Sequence, residues 1–218
     1  MTARNINLKP FLFILVGFSG LVWFVVAMVS GINLQNLLDF VRPIPNVVTA
    51  DLFLIGFFTK WGWRWKRLQG WLVPFPDLNG TWEGQIQTNW KDDQGKTPGP
   101  IPVMLTIRQT FLHVSCVMRT AEMESHSYTE GFCIDKERQL RQLCYSYTSK
   151  PKVGLRDRST PHDGTILFKV LGSPVKKLEG EYWTQRKTTG SVTLTFRTGK
   201  QLDELPTDLP AHPMASHK

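Results

Sequence analysis

Cysteine is scarce in this 218-residue chain and poorly placed for a covalent scaffold: Cys116, Cys133 and Cys144 leave an odd thiol and show no C-x-x-C spacing. A disulfide framework is thereby excluded, and a reducing compartment fits. The five histidines, His113, His126, His162, His212 and His217, are scattered rather than set at ligand spacing, so no metal site is expected. There is no G-x-S-x-G, no paired-carboxylate or Cys/His arrangement of recognisable spacing, and no phosphate-cradling glycine loop joined to a helix. The chain is therefore read as a non-enzyme without a cofactor. From Pro76 onward helical periodicity is missing as well, which leaves β structure for most of the chain.

Charge is absent where it matters most. Phe11 to Ser30 is twenty residues without an ionisable side chain, enough at about 1.5 Å per residue to cross the hydrocarbon core. It is longer than a signal-peptide core, and no small-x-small cleavage site follows before the next apolar run. That second run, Ile44 to Trp63, has its apolar centre at Leu52 to Phe58 and ends in an aromatic and basic cluster through Arg67 that reads as an interfacial belt. Residues 1–76 hold seven Lys/Arg against Asp39 and Asp51, giving +5 of the formal +8. Arg4 and Lys9 precede the first span, only Arg42 lies between spans, and Lys60, Arg64, Lys66 and Arg67 crowd the end of the second, so both termini are expected on the cytoplasmic side. Asp51 is costly inside a span unless it snorkels to the headgroups, lines a helix–helix contact or lines a pore.

Beyond Pro76, short alternating runs recur between Gly, Pro, Asp and Asn breakers. Eight strands are predicted: 80–90, 101–109, 112–119, 125–134, 140–148, 164–171, 177–185 and 190–197. With short connections and no helix to cover a face, an antiparallel eight-stranded up-and-down barrel removes the exposed edges. The expected organisation is a cytoplasmic N-terminus over 1–9, a transmembrane hairpin over 10–66, a linker over 67–76, the barrel over 77–198, and a disordered tail over 199–218 with Pro206, Pro210 and Pro213.

Alternation also proposes the inside of the barrel. If Val103, Leu105 and Ile107 face in, so does Gln109; Leu143 brings Tyr145 and Tyr147; Leu178 and Gly180 bring Tyr182, Thr184 and Arg186; Ser125, Ser127 and Thr129 follow the same rule. Such residues are polar enough to surround a ligand with hydroxyls, an amide and a guanidinium, or else to be satisfied groups at the barrel mouths. Trp82 is expected to plug one end, stacked on Arg197.

Two spans, a basic linker, a strand opening Leu78-Asn79-Gly80-Thr81-Trp82-Glu83-Gly84, the stretch Leu143-Cys144-Tyr145-Ser146-Tyr147, and Leu178-Glu179-Gly180-Glu181-Tyr182-Trp183 before Thr188-Thr189-Gly190 stand in an order that resembles one family. It is the SMODS-associated two-transmembrane, β-strand-rich effector of CBASS anti-phage defence, a CD-NTase-associated membrane effector. The resemblance implies a cyclic dinucleotide made by a partner nucleotidyltransferase, self-association in the bacterial inner membrane and loss of membrane integrity in abortive infection. Two phosphates call for Arg with hydroxyl and amide donors, and two bases for flat aromatic faces. Gln109, Ser127, Tyr145, Tyr147, Tyr182 and Arg186 offer that mixture. The alternatives are a membrane-tethered, lipocalin-like barrel holding a lipid or other apolar molecule, and a filled barrel acting as a membrane scaffold.

Overall fold

Uninterrupted apolar sequence becomes helix, because a helix satisfies its own backbone where no water does. In the computed structural model, which describes residues 8–31, 37–92, 94–135, 137–157 and 159–214, α1 spans Leu8–Val29, α2 Leu37–Val41 and α3 Ile44–Lys60. A proline stands in the first turn of α3, where its missing N–H removes no helical bond. Leu8–Val29 and Leu38–Lys60 are long and apolar enough to cross a membrane, and nearly all of each faces outward, unlike the core helix of a soluble protein. Phe57 contacts both Trp61 and Trp65 at the end of α3, with the Lys60 ammonium 4.5 Å over the Trp61 ring, as an interfacial belt requires. Asp51 takes the helix–helix option: the Ser19 hydroxyl is 2.8 Å from Asp51 Oδ2 and 2.8 Å from the Leu15 carbonyl, which ties the middle of α1 to α3.

The second unit is a closed antiparallel barrel with strands in chain order: β1 Gly80–Thr88, β2 Ile101–Gln109, β3 Val114–Arg119, β4 Met123–Asp135, β5 Leu140–Pro151, β6 His162–Gly172, β7 Val175–Thr184 and β8 Thr189–Thr198. Each strand pairs with the next, and β8 returns to β1. Closure needs two backbones unusually close. A Cβ on Gly84 would stand 1.9 Å from the Thr193 carbonyl oxygen, and one on Gly190 would stand 2.1 Å from the Gln87 carbonyl oxygen.

The barrel interior is filled at one end and hollow at the other. Val103, Leu105, Ile107, Leu143, Phe168, Leu178 and Leu194 are fully buried, and the segment before β1 caps them. Phe75 stacks on Phe132 at 5.3 Å and contacts Phe111. Trp82 is buried here, its indole N–H donating to the Leu78 carbonyl, but its aromatic partner is Phe196 in an edge contact at 5.1 Å. Arg197, one residue on, alternates to the outer face and pairs with Glu83 and Asp208 instead of stacking on Trp82.

Residues 199–214 carry three prolines and no alternation, yet they lie against the barrel. Thr81 Oγ1 donates to the Lys200 carbonyl at 2.7 Å and accepts the Leu202 N–H at 3.0 Å; Thr106 Oγ1 donates to the Leu202 carbonyl at 2.7 Å. Strand hydroxyls here hold a chain that makes no ladder, a form of order that a search for disorder-prone composition passes over.

Candidate functional site

At the end opposite the aromatic plug, the inner face turns from leucine and phenylalanine to tyrosine, threonine, serine and histidine. A cavity opens there among the ends of β1, β3, β5 and β7 and the starts of β2, β4, β6 and β8. Its empty space, counted with the open mouth, is about 1070 Å³.

Tyr147 and Tyr182 shape one wall, and each owes its pose to a glycine on the next strand. Tyr147 pairs across with Gly164, and Tyr182 with Gly190. A Cβ at Gly164 would lie 2.6 Å from Tyr147 Cζ and Oη, and one at Gly190 would lie 2.6 Å from Tyr182 Cε1, so both rings lie flat across backbone that carries no side chain. Burial is the leading cause that raises the pKa of both phenols above the ordinary value, so both remain neutral hydroxyls; Tyr182 also shares a hydrogen bond with Thr88.

Arg186, in the turn between β7 and β8, enters the same cavity. Its NH1 group donates to Ser159 Oγ at 3.0 Å and to the Thr160 carbonyl at 3.4 Å, and its NH2 group lies 3.3 Å from His162 Nε2. Its Nε is buried without a partner, and among the described residues no carboxylate forms an ion pair with it. Burial pulls the guanidinium below its ordinary value, and the phenols of Tyr147 and Tyr182 oppose the shift. A guanidinium retains its charge in any folded protein. The result is a half-buried cation facing a cavity, held by neutral acceptors and without an ion pair among the described residues, although Glu122 lines the same cavity.

His162 orients that cation. Its Nδ1 lies 3.1 Å from the Thr160 carbonyl, and donation there leaves Nε2 as the acceptor for Arg186. Burial is the main cause that lowers its proton affinity from the ordinary 6.5; the Thr160 carbonyl and Asp163 oppose this, and Arg186 adds to it. The sign of the pH effect follows: above pH 6.5 the neutral ring is present in both folded and unfolded chains, whereas below it the unfolded chain takes up a proton that the folded chain resists, so stability is lost as pH falls through the lowered value. The melting-temperature margin of the wild type over His162→Gln is therefore expected to be full above pH 6.5 and to shrink on acidification; a margin that stays constant into acid would show that His162 is not held neutral.

Of the six residues picked out by alternation, Tyr147, Tyr182 and Arg186 come together at this cavity. Gln109 sits at the plugged end, where its Oε1 accepts the Leu78 N–H at 2.7 Å and its Nε2 donates to the Pro76 carbonyl at 3.0 Å. Ser127 accepts the Cys116 N–H at 2.8 Å and bonds Glu130. Tyr145 is buried deeper than the cavity floor, its ring 6.0 Å from that of Tyr147 and its hydroxyl without a partner. Ser159, His162 and Trp90 were not on the sequence-derived list. His162 had a signal, since alternation back from Ile166 and Gly164 reaches it; Ser159 lies in a loop and had none.

Comparison with known proteins bears on what enters this cavity. Residues 73–196, the barrel and the segment leading into it, match the family model described as "Cap15, cyclic dinucleotide receptor domain". Among curated proteins, CD-NTase-associated protein 15 of Staphylococcus schleiferi is 28% identical over 151 residues, which cover 69% of this chain and 77% of that protein.

Proposed function

The chain belongs to the Cap15 cyclic dinucleotide receptor family, and from that premise we propose that the cavity around Arg186 is where a cyclic dinucleotide binds and that occupancy drives the membrane helices to self-associate and breach the bilayer. The observation that carries the site assignment is the uncompensated guanidinium. A cyclic dinucleotide brings two phosphodiester anions and two flat bases. Arg186, backed by Ser159 and His162, is built to receive one anion through charge-assisted hydrogen bonds, while Tyr147 and Tyr182 present ring faces to a base. A lipid or other apolar occupant would leave this half-buried cation without a counter-charge, which disfavours such an occupant. The anionic ligand is favoured for that reason.

Receptor and spans together make a membrane effector of CBASS defence, with its ligand supplied by a partner nucleotidyltransferase. The excess of Lys/Arg around the start of α1 and the end of α3 favours a cytoplasmic barrel, where such a ligand is made. Self-association follows physically if ligand binding stabilises a barrel-to-barrel contact, since each contact then concentrates two more spans in the plane of the membrane.

The test uses the full chain in lipid vesicles loaded with a self-quenched dye, challenged with a panel of cyclic di- and trinucleotides and with linear dinucleotides as controls. Selective dye release by one cyclic dinucleotide, with a matching increase in particle size in detergent, is the expected result. Binding without release would confine the chain to sensing, and no binding by folded protein would remove the reading altogether.

A further inference from the structure

The family match ends at residue 196, but the wall of the cavity does not. β8 ends at the plugged end of the barrel, and the chain after it turns back along the outer surface. Thr81 and Thr106 alternate outward, yet both are buried, bonded to the backbone of Lys200 and Leu202; Met104, outward on the same strand as Thr106, is fully buried too. Further on, Arg197 NH2 holds both carboxylate oxygens of Asp208 at 2.9 Å. The segment then reaches the open end. Pro213 approaches the β1–β2 loop at Gly99, and the buried His212 lies beside Glu122 in the turn between β3 and β4. His212 Nδ1 accepts the Met214 N–H at 3.2 Å, which turns this part of the segment inward, and His212 and Met214 line the same cavity as Arg186.

We propose that residues 199–214 form a strap whose end, His212–Met214, completes the cyclic dinucleotide site and narrows its mouth, so that ligand passes in and out faster when the strap lifts. The inference rests on the ligand assignment above and adds to it a site element that lies outside the receptor domain. Its physical basis is an uneven attachment. The first part of the strap, at Lys200 and Leu202, is held by buried hydroxyls, whereas the contacts described beyond Pro206 are an ion pair through the exposed Asp208 and the packing of His212 beside Glu122. Segments attached in this way open at low free energy while the body of the fold stays intact. Opening from the Asp208 end would uncover the mouth without disturbing β1 or β2.

The test compares the intact chain in detergent with two variants, a deletion of residues 207–218 and Asp208→Asn, using a fluorescently labelled cyclic dinucleotide in a stopped-flow instrument. Association is expected to be about tenfold faster in the deletion and to rise by a smaller factor in Asp208→Asn, with release accelerated in both. A ligand-free readout accompanies it. Met118 and Met123 line the cavity, and their oxidation by dilute peroxide, followed by mass spectrometry, should quicken in the deletion. If association is the same in all three proteins, the strap is no gate and the proposal fails while the ligand assignment stands. If the intact chain binds no cyclic dinucleotide, the ligand assignment is what fails, and unchanged methionine oxidation would then dispose of the strap as well.

Discussion

Replacing Arg186 with methionine is expected to weaken cyclic dinucleotide binding by about 100-fold or more, equivalent to about 2.7 kcal/mol, and to leave the thermal midpoint of the barrel unchanged or raised. The two halves of that expectation come from one geometry. In the ligand-free protein the guanidinium is half-buried, its Nε has no partner, and its other groups reach only neutral acceptors: Ser159, the Thr160 carbonyl and His162. Holding a cation so costs folding free energy, which an apolar side chain of similar length recovers. In the complex the same cation would face a phosphodiester, and its loss removes charge-assisted bonds that neutral donors do not replace. Titration calorimetry and a melting curve on the same samples suffice. A variant that melts well below the wild type would mark Arg186 as a structural strut, and one that binds with wild-type affinity would move the anion site elsewhere.

The distinction matters because the other polar residues of the barrel interior divide between these two roles, and alternation by itself does not separate them. Parity assigns a side chain to a face of the sheet, whereas its height along the barrel axis is set by cross-strand register. Gln109 and Arg186 both face inward by parity, yet Gln109 stands at the plugged end, bonded to Pro76 and Leu78, and Arg186 stands at the open one. Tyr145 and Tyr147 are neighbours on one face of β5, and that single step of two residues carries the chain from a closed core to a cavity wall. The spans were legible because a charge-free run the length of Phe11–Ser30 has few other uses, and the eight strands because turn residues separate them. β4 was harder. The register shifts between Ser127 and Thr129, which turns Thr129 outward to pair with Ser146 and sets Glu130 opposite Tyr145 on the inner face, and the one nearby breaker, Gly131, stands two residues past it. The strap had no signal of either period, because its order comes from Thr81, Thr106 and Asp208 rather than from its own backbone.

Closure of the barrel yields the expected effect of largest size on stability. Gly84→Val should abolish cooperative unfolding of the barrel or lower its stability by about 4 kcal/mol or more, beyond what an ordinary substitution does. At Gly84 the β1 and β8 backbones approach so closely that a Cβ would stand 1.9 Å from the Thr193 carbonyl oxygen and 3.0 Å from Leu194 Cα. The clash is with backbone, so no rotamer change relieves it; β8 must move, and the ladder from Gln85↔Thr193 to Thr88↔Gly190 moves with it. Gly131→Ala is the matched control. Gly131 also lies within a strand, but a Cβ there meets nothing within 4 Å, and the change should alter stability by less than about 1 kcal/mol. The pair separates close approach from the mere loss of a glycine. A displaced β8 would expose two long strand edges, so the variant should also aggregate where the control does not. It would carry Gly190 away from Tyr182 as well, and ligand binding should be lost along with the fold. If Gly84→Val instead melts near the wild type, β1 and β8 do not meet in this register, and the placement of Tyr182 over Gly190, on which the cavity wall depends, must be revised with it.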